Sequence, residues 1–109
     1  MKKLIAVFHS NEFYSFCIDF SEVSFISSST GSGLDEGINH IEIHLKNGTT
    51  ADVIGEFALV SAFWIVYKNM KEDHEAVSLN ASWDDVKYLA KQSKTNLNLE
   101  ILRNYPQEV

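Results

Sequence analysis

The stretch HIEIHLKNGTTADV, residues 40–53, alternates polar and apolar side chains on either side of Asn47–Gly48. Ile41, Ile43 and Leu45 share one face, and His40, Glu42, His44 and Lys46 share the other. Strict period-two alternation is the mark of a strand with one face on a core and one in water. Asn-Gly is a strong hairpin signal because both residues tolerate the positive φ of a type I′ turn. The stretch therefore reads as two antiparallel strands, with Asp52 returning across from the His40–His44 row.

Working outward, residues 3–9 (KLIAVFH) are a short apolar run bounded by turn formers and read as a first strand. The opening MKKLIAVFHS imitates a signal peptide, but His9, Ser10, Asn11 and Glu12 cut the apolar run short and no small-residue cleavage site follows. Residues 13–20 place Tyr14, Phe16, Ile18 and Phe20 on one face and Ser15, Cys17 and Asp19 on the other. Residues 23–27 (VSFIS) give a further strand, and residues 28–37 (SSTGSGLDEG) read as a flexible loop.

Residues 56–71 (EFALVSAFWIVYKNMK) change period. From Phe57 to Tyr67 only Ser61 is polar, so this is a helix apolar nearly all round, with Ser61 and Lys68 as its one wet stripe. At about 1.5 Å per residue it spans roughly half of a bilayer core, which excludes a transmembrane helix. Residues 76–79 (AVSL) read as a short strand. Ser82 opens a second helix with Asp84 and Asp85 in its first turn and Lys91 and Lys94 near its end, all favourable to the helix dipole. Residues 96–104 alternate again and read as a closing strand, and residues 104–109 as a tail. The expected fold is α+β: one domain over residues 1–109, an antiparallel sheet of about five to seven strands, and two helices packed on one face.

Composition narrows the function. The chain has 109 residues, 45% of them apolar and 22% charged, an ordinary globular mixture. A net charge of −6 repels phosphate, which argues against general nucleic-acid binding. The single Cys17 excludes an intrachain disulfide and fits a cytoplasmic location. The glycosylation patterns at Asn47 and Asn80 are then chance matches.

Four groups are candidates for chemistry or binding. His40, Glu42 and His44 project from one strand face roughly 6.6 Å apart, a spacing from which alternate pairs can chelate a metal. A half-buried sheet shows the same alternation whatever its function, so the wet-face reading is preferred. Cys17 as a nucleophile lacks a cation or histidine placed beside it by sequence, and an inert interior thiol is preferred. Residues 27–33 (SSSTGSG) lack the Gly-Lys-Ser/Thr ending of a phosphate loop, and Asp35 and Glu36 follow. Lys87, Lys91 and Lys94 read as a solvated helix face.

The remaining anomaly is the apolar helix, whose Phe57, Phe63, Trp64 and Tyr67 are candidates for an interface or a ligand pocket. The sequence thus reads as a small soluble non-enzymatic interaction module that requires no cofactor and self-associates, a dimer being favoured. The rivals are a metal-binding protein or small hydrolase built on His40, Glu42 and His44, a carrier of a small apolar ligand between the helix and the sheet, and an acidic inhibitor of a nucleic-acid-binding protein.

Overall fold

The computed structural model describes residues 1–11, 14–30 and 39–97. Its strands are β1 (Lys3–Asn11), β2 (Tyr14–Asp19), β3 (Val23–Thr30), β4 (Asn39–Leu45), β5 (Thr50–Ile54) and β6 (Glu75–Ser78). Helix α1 (Phe57–Asn69) lies between β5 and β6, and α2 (Trp83–Gln92) follows β6. The α+β expectation holds. The single large sheet does not: the strands form two sheets, ordered β2-β1-β6 and β3-β4-β5. Nor is the pairing all antiparallel, since β6 lies parallel to β1 with Ile5 opposite Val77.

The division arises at residues 19–22. Asp19 ends β2 and accepts hydrogen bonds at Oδ1 from the Ser21 amide (3.0 Å) and Ser21 Oγ (2.6 Å). That cap starts a 3₁₀ turn, Phe20–Glu22, whose Phe20 is wholly buried. The chain is thus turned out of the first sheet before β3 begins. The Lys46 amide donates to the Glu22 carbonyl at 2.9 Å, fixing this corner against the β4–β5 turn.

The β4–β5 hairpin forms in the expected register, with Glu42 opposite Asp52 and Ile43 opposite Ala51. Its turn is not type I′. Gly48 has φ +91°, but Asn47 does not have positive φ; its side-chain oxygen instead accepts from the Thr49 amide (2.9 Å) and hydroxyl (2.6 Å). The Gly48 amide donates to the Leu45 carbonyl and the Leu45 amide to the Thr49 carbonyl. This is the longer hairpin loop in which one glycine takes the left-handed position.

A single hydrophobic cluster unites the elements. Leu4, Ala6 and Phe8 of β1 are buried with Ile41, Ile43 and Val53 of the second sheet, and with side chains of α1 and α2. Phe63 of α1 is its aromatic centre: its ring meets Phe8 edge-on at 5.4 Å and stacks on Phe20 at 6.4 Å. No residue from Phe57 to Tyr67 is exposed. Ser61 is 7% exposed, so the wet stripe expected along Ser61 and Lys68 exists only at Lys68 and Asn69, where the last turn of α1 leaves the core.

Helix α2 is capped as the sequence implies, with Ser82 Oγ accepting from the Asp85 amide at 3.2 Å. It ends in a tight reversal. Lys94 adopts φ 55°, the Thr95 amide donates to the Ala90 carbonyl (2.8 Å) and the Lys94 amide to the Lys91 carbonyl (3.3 Å). These are the paired bonds of a Schellman motif, with lysine where glycine is usual. β3 runs to Thr30, further than residues 23–27. The rest of the expected loop (31–37), most of the closing strand (98–104) and the tail lie outside the described residues. Among the described residues no helix is long and apolar enough to cross a membrane.

Candidate functional site

The His40–Glu42–His44 row forms on the side of β4 turned away from the buried Ile41 and Ile43, where cross-strand neighbours engage it. His44 Nδ1 lies 3.2 Å from Thr50 Oγ1, and its Nε2 lies 3.2 Å from Ser27 Oγ and 3.6 Å from Glu42 Oε2. The exposed ring of Phe25 stacks on the imidazole at 3.9 Å, almost parallel. His40 Nδ1 meets Asp52 Oδ1 at 3.2 Å.

The distance from Ser27 to His44 suits a nucleophile and its base, but the order of groups does not. In a Ser-His-acid relay the carboxylate holds the imidazole nitrogen remote from the nucleophile. Here Glu42 approaches the same nitrogen as Ser27, and the remote nitrogen faces the neutral Thr50 hydroxyl. Among the described residues no group of three or more His, Cys, Asp or Glu side chains is placed to hold a metal ion. What the row forms is a hydrogen-bonded ladder across three strands.

The four aromatic candidates on α1 part company. Phe63 is wholly buried and Tyr67 is 8% exposed, both inside the cluster, whereas Phe57 and Trp64 are half-buried. Lys68 Nζ sits 5.2 Å from the Trp64 ring centre, and Lys2 Nζ sits 5.0 Å from that of Tyr67. The buried Trp64 indole N–H has no hydrogen-bond partner among the described residues. The Tyr67 hydroxyl is held above its ordinary pKa, first by burial and then by the carboxylates of Asp19, Glu72 and Glu22.

Two further surfaces were not read from the sequence. The first is the side of the β2-β1-β6 sheet opposite Leu4, Ala6 and Phe8. It carries Ile5 and Val7 of β1, Val77 beside Ile5, and Leu79 just beyond β6. Val77 is 65% and Leu79 74% exposed. Cys17, opposite Val7, is exposed there too, not interior as expected, because β2 turns Phe16 and Ile18 inward. The available signal was that KLIAVFH is apolar at odd and even positions alike; a strand apolar on both faces has both faces to cover.

The second is a groove of about 280 Å³ between β2 and the β4–β5 hairpin. Residues 16–19 of the edge strand β2 form one wall; Ile43, Leu45, Ala51 and Val53 form the floor. At one end the sheets are tied together: the Ile54 amide donates to Tyr14 Oη at 3.3 Å and Ser10 Oγ donates to the Ile54 carbonyl. A Cβ on Gly55 would stand 3.2 Å from Ser10 Oγ and 3.3 Å from the Phe16 ring, so backbone and side chains meet closely at that end. Asp19 and Glu22 line the other end.

No family model matches this sequence, and comparison with curated proteins and with solved structures finds no match.

Proposed function

We propose that this protein is a small non-enzymatic interaction module that self-associates through the open side of its β2-β1-β6 sheet. The observation that carries this reading is the exposure of Val77 and Leu79 beside Ile5 and Val7. Contiguous apolar side chains on an open sheet are covered in solution by another surface, and closed dimers are the commonest way a soluble chain supplies one. The helices cover the opposite side of that sheet, so packing there would leave the core undisturbed. Phe57 and Trp64 on α1 offer less, since most of each is already buried. The unpaired, exposed Cys17 suits a reducing cytoplasm.

Sedimentation velocity over a concentration series tests the reading. The wild type should show a reversible monomer–dimer equilibrium, and Val77→Glu should remain monomeric at every concentration with an unchanged circular dichroism spectrum. A wild type that stays monomeric at the highest concentration, or dimers that persist in Val77→Glu, would sink it.

A further inference from the structure

We infer that the groove between β2 and the β4–β5 hairpin receives an extended peptide segment of another protein, apolar at alternate residues and basic at the end that lies by Asp19 and Glu22. This surface adjoins the sheet face proposed for self-association at Cys17 but uses the edge of β2, away from Val77 and Leu79. The two walls of the groove differ in kind. Four consecutive residues of β2, 16–19, line it, as happens when a strand presents its backbone edge; β5 contributes only the alternate residues Ala51 and Val53, as happens when a strand presents a side-chain face. Among the described residues β2 is an outer strand of its sheet, paired only with β1. A guest strand can therefore hydrogen-bond to the free edge of β2 while setting every second side chain on Ile43, Leu45 and Val53, which is recognition by strand addition. The tie between Ile54, Tyr14 and Ser10 closes one end, so the guest runs out toward Asp19 and Glu22.

Charge selects the occupant. The carboxylates of Asp19 and Glu22 line the open end, and among the described residues no basic side chain lines the groove. A second copy of this chain, with net charge −6, would bring like charge to that end. A lysine or arginine is favoured instead. Antiparallel pairing is the commoner arrangement, and it places the guest's N-terminal residue beside Asp19.

The probe is the peptide Lys-Val-Thr-Val-Thr-Val with a C-terminal fluorophore, compared with a peptide carrying Glu in place of Lys. Binding is followed by anisotropy and by backbone amide shifts. The Lys peptide should perturb the amides of residues 16–19 and 51–53 and bind about two- to fivefold more tightly than the Glu peptide, the range expected of one exposed charge pair. Glu22→Lys, at an exposed position, should abolish that preference, since one positive charge then offsets the remaining Asp19 carboxylate. Ala51→Arg, also exposed, should block both peptides by filling the groove, while Val77→Glu should bind as the wild type does. The inference is overturned if millimolar Lys peptide leaves residues 16–19 unperturbed or if the two peptides bind equally. It is overturned too if Ala51→Arg abolishes self-association, which would show that a second copy fills the groove.

Discussion

Phe63 and Tyr67 stand one turn apart on α1 and hold the molecule together in different ways. Phe63 lies at zero exposure against the rings of Phe8 and Phe20, so Phe63→Ala should cost about 3–5 kcal/mol in a denaturant titration, the range for emptying a buried aromatic site. A cost under about 1 kcal/mol would mean that the Phe8–Phe20–Phe63 cluster is not packed as described. Tyr67 adds a pH-dependent term. Its hydroxyl has a folded-state pKa raised above the ordinary value of 10.0, so the unfolded chain gives up that proton first as pH rises. The contribution is fully present below pH 10.0 and is lost above it. Tyr67→Phe should therefore lose less stability than the wild type between neutral and strongly alkaline pH, and parallel curves would exclude the effect. The polar row contrasts with both. His40 and His44 meet exposed or half-buried polar side chains, those of neighbouring strands and Glu42 of their own, so the double change to alanine should move stability by less than about 1 kcal/mol.

Among the elements, those with one exposed face were legible and those shaped by a single side-chain bond were not. The alternation of residues 40–53 told which side of the hairpin is buried: Ile41 and Ile43 are at 0% and 3% exposure. The turn was read from the dipeptide alone, and the bonds from Thr49 to the Asn47 side chain explain why Asn47 did not need positive φ. In β3 the register shifts between Val23 and Phe25, so Ile26 and not Phe25 continues the inward face, and a periodic pattern cannot announce an inserted residue. The two left-handed residues give opposite expectations. Lys94 sits at φ 55° and is exposed, so Lys94→Gly should stabilise by about 0.5–1 kcal/mol by relieving a Cβ clash. Gly48 at φ +91° has open space around it, yet Gly48→Ala should destabilise by about 1–2 kcal/mol because the backbone itself is strained. Thermal midpoints that fail to move in opposite directions would contradict both helix end and hairpin.

For the whole molecule, the strands and helices of the described residues could be read in order, but their assignment to two sheets could not, since it turns on the Asp19 cap and the buried Phe20 corner. That division frees two surfaces not read from the sequence: the open side of β2-β1-β6 and the groove at the edge of β2. The size of the first sets how strongly it can act. Strands of nine, six and four residues, about 4.8 Å apart and about 3.3 Å per residue, cover roughly 300 Å². Two such faces together bury roughly 600 Å², below the roughly 1,200 Å² typical of stable complexes. Association should therefore be weak and reversible, visible at high micromolar concentration and not a permanent dimer. The charge of −6 on each chain opposes it over a Debye length of about 10 Å in 0.1 M salt, while the contact itself is mainly apolar. Raising salt should consequently strengthen the dimer, the reverse of what an interface of ion pairs would do. Light scattering in low and high salt, on wild type and Val77→Glu, separates the two. A dimer that tightens with salt and disappears in Val77→Glu fits an apolar sheet face; one that dissociates with salt requires an interface built on charge, elsewhere on the molecule.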